Sequence, residues 1–117
     1  MNLLFNTKLT DGYTSSSQKV RVLTESWVDE NIYCPNCGQA NVDKYDNNFP
    51  VADFFCANCS EDYELKSKKN SVGLKIVDGA YRTMIERLQS SNNPNFFLLN
   101  YDLRKFAVLD FLVVPKH

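Results

Sequence analysis

Along residues 15–33, "SSSQKVRVLTESWVDENIY", the apolar residues Val20, Leu23, Trp27 and Val28 recur at helical spacing, with Glu and Asp turned to the other side. The serines that precede this stripe suit an N-cap, so the pattern predicts a helix over 15–33. Beyond it the period changes. "CPNCGQANVDKYDNNFP" is rich in Asn, Gly and Pro and reads as loop, with one short strand near 42–45. Residues 51–56 and 62–68 alternate with a period of two and are expected to pair as strands joined by "ANCSE". Asp53 and Phe55 then share one face of the first strand, with Ala52 and Phe54 on the other. Glu64 and Lys66 share a face of the second, opposite Tyr63 and Leu65. "VDGAYRTMIERLQSS" (77–91) restores a helical stripe through Ala80 or Tyr81, Met84 and Leu88, and strands at 95–101 and 106–114 follow. Helix, strands, helix, strands is the order of an α/β sheet flanked by helices.

Composition narrows this to one folded unit. At 117 residues, 44% of them hydrophobic and with eight Phe and six Tyr, the chain suits one domain around one core. Its net charge of -1 supplies no whole-protein basic field for nucleic acid. The one dense basic run is Lys66, Lys68 and Lys69. "MNLLFNTKLTDGY" lacks the basic start, apolar run and cleavage site of a signal peptide, and the best apolar run, "FAVLDFLVV", is interrupted by Asp110. A cytoplasmic protein without a membrane partner is therefore expected, in which cysteines serve metals more readily than disulfides.

Cys34, Cys37, Cys56 and Cys59 form a C-x2-C…C-x2-C pair. Each such turn presents two thiolates from one knuckle, and two knuckles complete the tetrahedron of soft ligands that zinc prefers. A closed four-cysteine site leaves no position for water, so the zinc is expected to be structural. It supplies on the order of 10 kcal/mol of folding free energy. The sole histidine is His117, which excludes histidine-metal nucleases, Ser-His triads and Cys-His pairs.

The same hairpin carries a second constellation. Glu64 and Lys66 emerge on one face roughly 6–7 Å apart, and Asp53 is expected across from them on the neighbouring strand. Two carboxylates and the Leu65 carbonyl would form a hard oxygen site for Mg²⁺, with the Lys66 ammonium beside it. That set suits phosphodiester hydrolysis. A solvated hairpin face is the alternative for so short a pattern, and the chain is then a non-catalytic zinc-ribbon module that binds nucleic acid or protein. Gln18 and Glu25 are expected on the exposed face of the first helix, with a contact to metal-bound water as the alternative. Lys68, Lys69 and Asn70 are candidate contacts to DNA phosphates; Trp27 is expected in the core.

"SSSQKVRVLTESWV", "YCPNCG", "NNFPVADFFCANCSEDYELKSKKN", "DGAYRTM" and "NNPNFFLLNY" together resemble the N-terminal catalytic region of the DpnI-like methyl-directed (type IIM) restriction endonucleases. The resemblance runs from "LLFN" to "FLVVPK". It implies a PD-(D/E)XK nuclease fold, a mixed sheet flanked by helices with a four-cysteine zinc clasp. It also implies Asp53, Glu64 and Lys66 as the catalytic triplet, Mg²⁺ as the catalytic metal and Zn²⁺ as the structural one. The implied substrate is double-stranded DNA carrying N6-methyladenine in GATC. Here the Pro-Asp pair of the motif is loosened to Pro50-Val51-Ala52-Asp53. Members of the family continue into a C-terminal winged-helix region; residues 1–117 are expected to form the nuclease core alone.

Overall fold

The computed structural model describes residues 2–46, 52–69 and 95–115. The predicted helix at 77–91 and the candidate contact Asn70 lie outside them. Among the described residues one α-helix, α1 (Ser16–Asn31), packs on a five-stranded sheet of β1 (Asp43–Lys44), β2 (Phe54–Phe55), β3 (Asp62–Lys69), β4 (Asn95–Asp102) and β5 (Ala107–Val114). A 3-10 turn at Thr7–Thr10 precedes α1.

The helix starts where the Ser15 hydroxyl accepts from the Gln18 amide and stops at Ile32, whose backbone turns extended. Its stripe of Leu23, Thr24, Trp27 and Val28 is buried. Each polar atom on that stripe is satisfied: the Thr24 hydroxyl donates to the Val20 carbonyl (2.9 Å), and the Trp27 indole N–H to the Asn2 carbonyl (2.7 Å). Burying that stripe against a sheet, more than helix propensity, is what stabilises a segment of this length.

The strands lie in the order β1-β2-β3-β4-β5. β1, β2 and β3 are antiparallel neighbours, β3 and β4 are parallel, and β4 and β5 are antiparallel, so the sheet is mixed. A parallel pair needs a crossover connection rather than a hairpin turn, and the 25 residues between β3 and β4 in the sequence are long enough for one. β4 is buried along its whole length, as expected of a strand covered on both faces. Tyr63 and Phe97 stack at 4.5 Å across the parallel pair. Phe111 lies 5.2 Å from Phe97 and 5.5 Å from Trp27, so α1, β3, β4 and β5 meet in one aromatic core. The N-terminal segment is tied to β5 by the Phe5 amide on the Phe106 carbonyl and the Val108 amide on the Leu3 carbonyl, both 2.8 Å. Among the described residues no helix is long and apolar enough to cross a membrane.

The expected strands are present with altered ends. The ladder of β2 covers only residues 54–55, because the chain is irregular just before it. The Asp53 amide donates to the Tyr63 carbonyl (3.0 Å), yet the register partner of Tyr63 is Phe54. Two residues thus face one, the arrangement of a β-bulge, which re-aims the side chains around it.

Candidate metal centre and active site

The two cysteine knuckles are built alike. In the first, the Gly38 amide donates to the Cys34 carbonyl (2.8 Å) and the Cys34 amide to the Gln39 carbonyl (2.9 Å). In the second, the Ser60 amide donates to the Cys56 carbonyl and the Cys56 amide to the Glu61 carbonyl, both 2.9 Å. Both turns close through a left-handed residue, Gly38 at φ 83° and Ser60 at φ 66°. Glycine takes that conformation without strain; serine takes it at a cost of about 1 kcal/mol.

This shared geometry brings the four sulfurs within 4.8 Å of one another. Cys34 Sγ lies 3.7 Å from Cys59 Sγ, and Cys37 Sγ 3.5 Å from Cys56 Sγ. A tetrahedron with zinc–sulfur bonds of about 2.3 Å has edges of about 3.8 Å, so the spacing fits that metal. None of the four is in a disulfide. Two further groups touch the sulfurs: the Tyr63 hydroxyl at 3.1 Å from Cys34, and the Asn58 amide at 3.4 Å from Cys37. Sequence spacing gave no hint of either.

Those contacts set the charges. Burial pushes the Cys34 thiol up, but hydrogen bonds from the Tyr63 hydroxyl and from the Cys37 and Asn36 amides outweigh it and leave it lowered to about 6. The Asn58 amide, with the Gln39 amide behind it, lowers Cys37. Cys56 is held down by the Cys59 amide, yet burial and the neighbouring Cys37 and Cys59 sulfurs win and push it up to about 11. A cation bound among the four sulfurs would offset the repulsion that keeps Cys56 protonated.

A second cluster forms where β2 and β3 part. Among the described residues β3 pairs with β2 only through Asp62 and Tyr63, and no strand pairs with that edge beyond them. The Asp53 carboxylate enters this fork and accepts the Leu65 amide at 2.7 Å. Burial pushes the Asp53 carboxyl up; the Leu65 amide opposes this, while the Glu25 and Glu64 carboxylates push it further up and Arg21 holds it back. Asp53, just before β2, thus feels the charges of Glu25 on α1 and Glu64 on β3. Glu64 and Lys66 are ion-paired at 3.1 Å and partly open to solvent.

The expected exposure of Glu25 is corrected. Its side chain is only 8% exposed, because the Arg21 Nε and the Lys44 Nζ both bind it at 3.0 Å. Lys44 comes from β1, and only the fold brings it there. Gln18 is exposed, as expected. The basic run is divided by the pleat. Ser67 and Lys69 line a cavity of ≈ 650 Å³ together with Asp53, Leu65, Glu25 and Arg21. Lys66 and Lys68 alternate with them and belong to the other face.

The fold and these clusters define an α/β protein with a cysteine knuckle pair able to hold a metal ion, close to the buried Glu25 and the Asp53 carboxylate. The chain belongs to the family described as DpnI: Dam-replacing family, whose model matches residues 1–117. Membership of that family suggests a methyl-directed restriction-type nuclease and implies DNA as the substrate.

Proposed function

We propose that this chain is a metal-dependent DNA endonuclease of the PD-(D/E)XK type, cutting at GATC sites that carry N6-methyladenine. What supports the reading is Asp53: its carboxylate accepts the Leu65 amide at 2.7 Å and feels the charge of Glu64, in a chain of the DpnI family. Asp53 and Glu64 with the Leu65 carbonyl would hold Mg²⁺, a donor set of hard oxygens. When bound, that ion polarises the phosphoryl oxygen and lowers the pKa of its water. A cation placed there would offset the burial and the Glu25 and Glu64 charges that push the Asp53 carboxyl up.

The chain's own residues do the rest. Lys66, ion-paired with Glu64, supplies the ammonium that would orient the attacking water and offset the charge that builds on phosphorus. One phosphorus–oxygen bond forms with water as the bond to the leaving sugar oxygen breaks. Cys34, Cys37, Cys56 and Cys59 bind zinc at the tip of the hairpin that carries Asp53 and Glu64, and so hold the fork in shape. Free thiols and this metal fit the reducing cytoplasm.

Asp53→Asn in a Mg²⁺ cleavage assay tests the assignment. Asparagine still accepts the Leu65 amide but carries no charge for a cation. Loss of cleavage by at least about 10³-fold, with zinc content and melting temperature kept, is the expected result. Unchanged cleavage would leave the triplet as a solvated hairpin face and the chain as a zinc-ribbon binding module.

A further inference from the structure

The cavity of ≈ 650 Å³ that Asp53 lines is wider than metal binding requires, and its lining carries both charges. Asp53 and Glu25 carry its negative charge. The remainder presents Arg21 from α1, Lys69 from β3 and the hydroxyls of Ser16, Ser17 and Ser67. Arg21 is half exposed and its Nε is fixed by buried Glu25, so its guanidinium is aimed in advance rather than free to wander. Preorganised cations lose less rotamer freedom on binding, and the planar guanidinium suits phosphate oxygens. Lys69 lies at the end of β3, on the Asp53 side of the pleat, and makes no ion pair among the described residues.

Resting on the nuclease reading, we propose that Arg21 and Lys69 grip a phosphate of the DNA backbone next to the one cleaved, in the cavity that Asp53 also lines. The ligand class is a phosphodiester anion, bound without regard to base sequence. Glu25 acts here as a positioning residue that holds Arg21. Lys68, one residue from Lys69 but on the opposite face, takes no part.

The test is duplex binding by fluorescence anisotropy without magnesium, using an oligonucleotide with methylated GATC, over a range of salt. Arg21→Gln, Lys69→Ala, the double variant and Lys68→Ala are compared with the wild type; glutamine keeps a donor for Glu25. The plot of log K against log salt should flatten by about 0.9 for each of the first two and about twice that for the double variant. Lys68→Ala should not change it, and methylated and unmethylated duplexes should lose affinity equally. Arg21→Gln and Lys69→Ala should each raise KM for cleavage more than they lower kcat. Slopes unchanged in a chain that still binds and cuts would overturn the phosphate grip and leave the nuclease reading intact. An equal loss with Lys68→Ala would overturn it too, as a mere effect of net charge. Binding through both cations by a chain that never cuts would support the grip and overturn the nuclease reading; no binding at all by the wild type would overturn both.

Discussion

Tyr63→Phe removes one oxygen from the middle of the protein. Its ring stacks on Phe97 at 4.5 Å and is fully buried, and phenylalanine keeps that stack. What disappears is the hydrogen bond from the hydroxyl to Cys34 Sγ, 3.1 Å away. A bond to a charged acceptor contributes about 1.5–3 kcal/mol, and an outer-shell partner of a metal ligand typically carries 10–100-fold in metal affinity. These two figures agree, since 10–100-fold is about 1.4–2.8 kcal/mol. Because the hydroxyl also lowers the Cys34 thiol, its loss should move zinc binding to higher pH. Competition with a chromophoric chelator between pH 6 and 8 measures both. The expected outcome is zinc bound about 10–100-fold more weakly, with the greatest deficit at the acid end. Wild-type zinc affinity in a folded Tyr63→Phe protein would refute the claim that this hydroxyl supports the metal centre.

Three further outcomes follow from the geometry. Without added magnesium, Asp53→Asn should melt at or above the wild-type temperature at pH 7. The raised carboxyl stabilises the fold below its ordinary value of 3.8 and loses that contribution as pH rises through its folded value, so the difference should vanish in acid. Gly38→Ala should cost about 1 kcal/mol in chemical denaturation at saturating zinc, because the left-handed φ of 83° is strained for any Cβ although the space for it is open; a neutral result would argue against the knuckle geometry. Phe97→Ala should cost about 3–5 kcal/mol in the same assay, since Phe54, Tyr63 and Phe111 all pack on that ring.

What could be read in the sequence was whatever is local. The cysteine spacing carries the knuckles, because each is a single turn whose hydrogen bonds close within six residues. The cap at Ser15 and the stripe through Val28 carry α1, and the alternation in "DYELKSKK" divides Lys69 from Lys68. What escaped is long-range. Glu25 looks like a residue of an exposed helix face until Lys44 arrives from β1 to close over it; the Arg21 four residues earlier was the only nearby sign. The bulge before Phe54 has no residue signature, so the alternation of "ADFF" suggested a plain strand and hid the turn of Asp53 into the fork. Asn95, which reaches back to Glu61 and the Asp62 carbonyl at 3.0 Å each, ties β4 to the hairpin through a pairing only the crossover defines.

The central claim is that the Asp53 and Glu64 carboxylates, on a hairpin with a cysteine-bound metal, cut methylated DNA. Its most direct test incubates the zinc-loaded wild type and Mg²⁺ with two preparations of one plasmid, methylated and unmethylated at GATC. Cutting confined to the methylated preparation is the predicted result. Equal cutting of both would contradict the methyl specificity, and cutting of neither by a folded, zinc-loaded chain would contradict the nuclease itself.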